Sequence, residues 1–221
     1  FIIATLSFGC SPKTGHQVAD LRSKVTKDIM TLSSDDMEGR EVGTEGERKA
    51  AEYIEKRYKA IGLAPAGDNG TYFQYFTRKM NRNPHGEDTG TGPDVQGKNI
   101  IGYIDNHAAN TVIIGAHYDH LGYGKEGSLY SGGLAIHNGA DDNSSGVAGV
   151  LYLAESIQHS NLKNNNYLFI CFSGEEKGLW GSNYFVKHST LKPTFNYMVN
   201  MDMIGRLNAD RKLAISGIGT S

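Results

Sequence analysis

Cysteine is scarce in this chain: Cys10 and Cys171 are its only two thiols in 221 residues. Two thiols cannot make a disulfide scaffold, so the fold must rest on a hydrophobic core. No stretch reaches the ~20 consecutive apolar residues that a membrane-spanning helix needs. An excess of one charge is missing as well, because 22 Lys and Arg stand against 24 Asp and Glu, a net of −2. That balance argues against a nucleic-acid partner, which calls for a basic surplus. The chain also has no Gly-x-Ser-x-Gly elbow, no Gly-x-x-x-x-Gly-Lys-Ser/Thr loop and no His-Glu-x-x-His helix. These absences argue against the common serine hydrolases, phosphate-loop enzymes and single-zinc proteases. Gly90-Thr91-Gly92 lies in a polar loop with no strand before it, so it is no dinucleotide site. Glycine, in contrast, is plentiful at 28 residues, well above the usual ~7%. Aromatics at 10% argue against disorder.

Hydrophobic spacing sets the organisation. Val18, Leu21, Val25, Ile29 and Leu32 repeat at helical intervals, which predicts a helix over about 16–32. Thr44 with Glu47 three residues on forms a capping box. It opens a second helix whose stripe is Ala50, Ala51, Ile54, Tyr58 and Ile61, with Gly62 placed to cap the end. Residues 72–77 read as a strand, 81–96 as a polar loop, and 99–104 and 111–116 as neighbouring strands. A long glycine-rich loop follows Asp119. Then come a helix from about Ser145, a buried strand over 167–172, a helix over about 178–188 and a strand over 195–201. Lys212 to Ser216 completes the list as a further strand. Strands alternating with helices predict an α/β fold: a three-layer sandwich with a mostly parallel central sheet flanked by helices.

Four polar clusters sit at the ends of these apolar segments. They are His117-Tyr118-Asp119-His120, Asp141-Asp142-Asn143, Ser173-Gly174-Glu175-Glu176 and Asn200-Met201-Asp202. Singly, each has a plain structural explanation, such as a helix cap or a solvated strand end. Together, at the carboxyl ends of strands where open α/β sheets bind ligands, they converge on one crevice. One histidine with several carboxylates is an N/O ligand set that suits zinc. An excess of carboxylates over histidines suits two dications held about 3.5–4 Å apart by a bridging carboxylate.

As written here, these segments resemble the bacterial zinc aminopeptidase family. That family is related to glutamate carboxypeptidase, the transferrin receptor ectodomain and the glutaminyl cyclases. The segments are Gly-Ala-His117-Tyr-Asp119-His-Leu-Gly, Gly-Ala-Asp141-Asp142-Asn-Ser-Ser-Gly, Ser-Gly-Glu175-Glu176-Lys-Gly-Leu-Trp-Gly-Ser and Asn-Met-Asp202-Met-Ile-Gly. Ser33 to Arg40 and Thr44 to Gly62 also look like the family's N-terminal part. The resemblance implies a di-zinc metallopeptidase that removes N-terminal residues from peptide substrates. It makes His117 and Asp202 ligands of one zinc, Asp142 the bridge and Glu176 a ligand of the second. Glu175 becomes the general base, and Asp119 supports the His117 ring and tautomer. Asp141 matches a position that is not a ligand.

The family takes a further ligand of the second zinc from a late histidine. No histidine follows Asp202 here, the last being His188. The expectation is therefore two Zn²⁺ with one site incomplete, in a zinc peptidase domain over 16–221 that is C-terminally truncated. Residues 1–10 end an apolar run at Cys10 and resemble a signal-peptide remnant or lipobox. That implies an exported protein, either secreted or a periplasmic, membrane-anchored lipoprotein with Cys10 as its lipid anchor. Two alternatives stand beside this reading: a glutaminyl cyclase-like acyltransferase with one zinc, and a non-catalytic receptor-like ectodomain. The second of these expects eroded ligands, whereas His117, Asp142, Glu175, Glu176 and Asp202 are all intact here.

Overall fold

The computed structural model describes residues 15–80, 92–191, 193–207, 209–212 and 215–217. The apolar run up to Cys10 lies outside them. So do Leu213 and Ala214 of the last expected strand, whose described residues are not in a strand.

The first helix, α1, spans Gly15–Leu32. The second, α2, spans Glu45–Ile61, and both of its ends are written in the sequence. Thr44 Oγ1 accepts from the Glu47 N–H at 3.4 Å, and Glu47 reaches back to the Gly43 N–H at 2.7 Å. This is the capping box, shifted by one residue on its return arm. At the other end Gly62 adopts φ +86°, a left-handed cap that glycine enters without steric cost.

Six strands follow in one sheet: β1 (Ala64–Pro65), β2 (Phe73–Lys79), β3 (Asp94–Ile104), β4 (Asn110–His117), β5 (Asn166–Phe172) and β6 (Thr194–Asn200). The order is β1-β3-β5-β4-β6, with β2 also on β3. Helix α3 (Gly146–Gln158) lies between β4 and β5 in sequence, and α4 (Trp180–His188) between β5 and β6.

The sandwich has three layers, but its sheet is mixed. β4 is parallel to β5 and β6, whereas β3 is antiparallel to β5, β2 and β1. The expectation of a mostly parallel sheet, and of β3 and β4 as neighbours, is corrected here: the pairings of β3 are antiparallel, and β5 lies between β3 and β4. Only residues 105–109 connect the two strands. A parallel connection needs a dozen residues or more, so β4 must run opposite to β3. β5 then fits between them. Its first residue, Asn166, serves the short connection by accepting from the Asn106 and Ala108 N–H groups and donating to the Ala108 carbonyl.

Alternation along β5 explains why its run is apolar throughout. Tyr167, Phe169 and Cys171 face the core under α2 and α3, and Leu168, Ile170 and Phe172 face the core that includes Phe185 of α4. A strand covered on both faces has no polar side to display. β6, at the edge, is exposed along its whole length.

Candidate metal centre

The parallel part of the sheet builds the site. β5, β4 and β6 point the same way, so their carboxyl ends share one edge. His117 is the last residue of β4, Glu175 and Glu176 lie in the turn after β5, and Asp202 follows β6. Asp142 comes from an irregular turn, Ala140–Ser145, that leads into α3. Gly139 opens that turn at φ +58°, and a side chain there would collide with the Asp142 carbonyl and the Arg40 guanidinium.

His117 is 3% exposed. Its Nε2 faces Asp142 Oδ1 at 3.2 Å, Asp202 Oδ1 at 3.5 Å and Glu175 Oε2 at 4.0 Å. Its Nδ1 lies 3.2 Å from the Asp119 carbonyl oxygen. A carbonyl only accepts, so Nδ1 carries a proton, and Nε2 is the ring atom directed at three carboxylate oxygens. One nitrogen and several carboxylate oxygens are the donor set that zinc takes. For metal bonds of 2.0–2.1 Å, a tetrahedral zinc sets its ligand atoms about 3.3 Å apart. The 3.2 and 3.5 Å separations fit that edge.

A second group of donors adjoins the first. His120, Asp142 and Glu176 each place one ligand-type atom within 4.8 Å of the others, as His117, Asp142 and Asp202 do. Asp142 belongs to both groups, with Oδ1 toward His117 and Oδ2 toward His120. It stands where a bridging carboxylate would. Every residue expected as ligand or base is therefore in one cluster. Asp141 stays in the turn, where it accepts from the Gly205 N–H at 2.9 Å and from Ser145 Oγ.

The Asp119 carboxylate is fully buried and lies 3.7 Å from His117 Nδ1. Its closer partners are the backbone N–H groups of Glu175 and Glu176, at 3.1 and 3.3 Å. Asp119 thus ties the β4 end to the Glu175-Glu176 turn. Buried Asn99 of β3 anchors the same turn from below: its Oδ1 accepts from Ser173 N–H, and its amide donates to the Gly181 carbonyl.

Sequence reasoning missed two buried charges beneath the cluster. Arg40 donates to the carbonyls of Tyr118, Leu32, Asn138 and Gly139 at 2.5–3.0 Å, and its own carbonyl accepts from the His120 N–H. It clamps the His117–His120 segment to the Asp142 turn. Burial pulls the guanidinium down to about 10, while Asp119, Asp142 and Glu176 hold its charge in place. Glu47 accepts from Tyr118 OH at 3.0 Å, from the Gly43 N–H and from Ser173 Oγ. The only signal in the sequence was their setting, an arginine after Gly39 and the last residue of a capping box. Neither spacing foretells burial.

The protonation pattern follows from this crowding. Burial alone pulls the His117 ring down, but hydrogen bonding to Asp119, Asp142 and Asp202 outweighs it and pushes the ring up to about 12. Asp142 is held below the usual carboxylate range, first by His117, against burial. Burial raises Glu175; Asp119, Glu176 and Asp202 add to the rise, and His117 opposes it.

Comparison with known proteins gives the chain a family and a fold. The sequence profile of Peptidase family M28 matches residues 99–220, more than half of the chain. The alkaline phosphatase isozyme conversion protein of Escherichia coli (strain K12) is 26% identical over 215 residues, 95% of this chain and 56% of that protein. A "Probable leucine aminopeptidase" of Arthroderma otae is 35% identical over 117 residues, 50% of this chain and 30% of that protein. Among solved structures, a Zn-dependent exopeptidase from Parabacteroides distasonis aligns with a TM-score of 0.63 at 19% identity, over 85% of this chain and 61% of that one. Porphyromonas gingivalis glutaminyl cyclase aligns equally well, at 0.63 and 18%, over the same shares. At such identities the two structures establish the fold. The chain spans about half the length of the first of these curated relatives and about a third of the second.

Proposed function

The chain belongs to peptidase family M28, and from that premise we propose that it is a zinc-dependent exopeptidase that removes N-terminal residues from peptides, with Glu175 as its general base. The observation that carries this reading is the convergence of the oxygens of Asp142, Asp202 and Glu175 on His117 Nε2. His117, Asp142 and Asp202 would hold one zinc. Glu176 would hold a second, with Asp142 between the two. Bound zinc supplies Lewis acidity, which polarises a carbonyl and lowers the pKa of a water molecule to about 7.

The protein's own residues do the rest. Glu175 takes the proton of the attacking water and passes it to the departing amine. Burial raises its pKa above the ordinary carboxylate value, which strengthens it as a base. Asp119 holds the backbone of Glu175 and Glu176, so the base is oriented before substrate arrives. The surplus carboxylates offer a negative setting for the free α-amine of a peptide, which favours cutting at the N-terminus. A cavity of about 180 Å³ adjoins Glu175. Its Phe172, Leu179 and Met198 walls suit an apolar first side chain. We further propose export, with Cys10 as a lipid anchor.

A peptide-library digest read by mass spectrometry, with zinc supplied or chelated, tests the reading. Stepwise loss of N-terminal residues, apolar ones first and only with zinc, is expected. Internal cleavage, or turnover indifferent to zinc, rejects it. Ammonia released from N-terminal glutamine with no residue removed selects the cyclase reading, which the shared fold also admits.

A further inference from the structure

We propose that His120 is a positioning residue that aims the Glu176 carboxylate at the second metal by hydrogen bonding, and that it is not itself a ligand. The proposal rests on the two-zinc reading above and concerns one side chain that reading leaves unassigned. His120 sits three residues after His117 and is buried. It could join Asp142 and Glu176 as the nitrogen donor of a second ion, since the three are close enough.

Two observations decide against that and in favour of aiming. The first is distance. His120 Nδ1 is 2.7 Å from Glu176 Oε1 and 3.9 Å from Asp142 Oδ2. Neither value is near the roughly 3.3 Å edge of a zinc tetrahedron, whereas the distances around His117 are. At 2.7 Å the contact is a charge-assisted hydrogen bond. A carboxylate only accepts, so Nδ1 is the donor in this contact.

The second observation is the other ring nitrogen. A metal-bound histidine normally donates its remaining N–H to an acceptor, which fixes tautomer and ring. His117 does this through Nδ1 and the Asp119 carbonyl. His120 Nε2 has no such acceptor among the described residues; the ring's other contact is an edge approach to His137, with centroids 6.3 Å apart. What is fixed about His120 is its backbone, whose N–H donates to the Arg40 carbonyl. The chain Arg40–His120–Glu176 therefore transmits the placement of a buried arginine to a ligand oxygen. It leaves Glu176 Oε2 free for the metal.

The test compares His120→Asn with His120→Ala. The amide nitrogen of Asn occupies the place of Nδ1 and can donate to Glu176, but an amide is a poor zinc ligand. Zinc titration by calorimetry should show His120→Ala weakening the second ion by about 10–100-fold, the usual effect of removing an outer hydrogen bond. His120→Asn should recover most of that loss, and the ion at His117 should be unchanged in both. Equal loss in both variants would make His120 a ligand, and no loss in either would make it a bystander; each overturns the proposal. A wild-type chain that binds a single ion even in large zinc excess counts against the two-zinc reading instead. The hydrogen bond is then judged in the metal-free chain by ¹⁵N NMR. A protonated His120 Nδ1 whose signal shifts in Glu176→Ala sustains the proposal, and an unprotonated Nδ1 ends it.

Discussion

Glu47 should make the stability of this protein depend on pH in a direction opposite to that of an ordinary salt-bridged carboxylate. The side chain is 3% exposed, and its acceptors are filled by Tyr118, Ser173 and Gly43. Burial raises it from 4.5 to about 7; nearby Asp119 adds to the rise, and the hydrogen bonds oppose it. Between these two values the native state binds a proton that the unfolded chain has released. Stability therefore falls as pH rises through that window. At 1.36 kcal/mol per pKa unit, the rise from 4.5 to about 7 is worth about 3 kcal/mol. Glu47→Gln removes the ionisation at constant size. Its amide oxygen can accept from Gly43 while its NH₂ donates to the two hydroxyls, which accept as readily as they donate. Urea unfolding of both proteins at several pH values is the assay, and the difference between them cancels every other titrating group. That difference should move in favour of the variant by about 3 kcal/mol between pH 4.5 and 8, mostly between pH 5 and 7. A difference independent of pH, or one that moves toward the wild type, would refute the argument that Glu47 carries its charge at a cost.

Three further outcomes are expected. Glu175→Gln should keep its zinc and lose ~10²–10⁴ in turnover, whereas Glu176→Ala should lose zinc itself, as metal analysis of the two purified variants will tell; near-normal turnover of the first would place the base elsewhere. Arg40→Met leaves the carbonyls of Tyr118, Leu32 and Asn138 without their donor, whereas Gly139 keeps the N–H and hydroxyl of Ser144. At about 1–3 kcal/mol for each buried group left unpaired, stability should drop by at least about 3 kcal/mol, and a loss under about 1 kcal/mol in urea would mean that water replaces the clamp. Cys10→Ser should shift the protein from the membrane fraction to the soluble one, and an unmodified Cys10 in the wild type, by mass spectrometry, would count against the anchor.

Much of the site was legible because its chemistry is local. Each candidate ligand lies beside an apolar strand or before an apolar helix, so the runs Val112–Ala116 and Tyr167–Phe172 locate His117 and the Glu175-Glu176 pair without any coordinates. Strand ends that share a direction share an edge, which is why the parallel trio β5-β4-β6 gathers them. Strand neighbours were less legible. Pairing is non-local: β5, which starts at Asn166, far beyond the Ile104 end of β3, lies between β3 and β4, although the short 105–109 connection by itself would suit a hairpin.

What the sequence by itself determined, then, is the inventory and the local frame: α2 with both caps, strands buried on two faces, and a set of N/O donors in a fixed order. Periodicity, capping and residue chemistry act over a few residues, so they can be read from a few residues. What only the tertiary structure decided is which atoms face which. Asp142 turns one oxygen to each histidine, Asp119 spends its carboxylate on the Glu175 and Glu176 amides, and Arg40 and Glu47 lie buried under the cluster. Those assignments depend on hydrogen-bond contacts between segments up to 126 residues apart, as between Glu47 and Ser173. Distances of that kind are set by the packing of the whole sheet and its helices, and no short-range pattern encodes them.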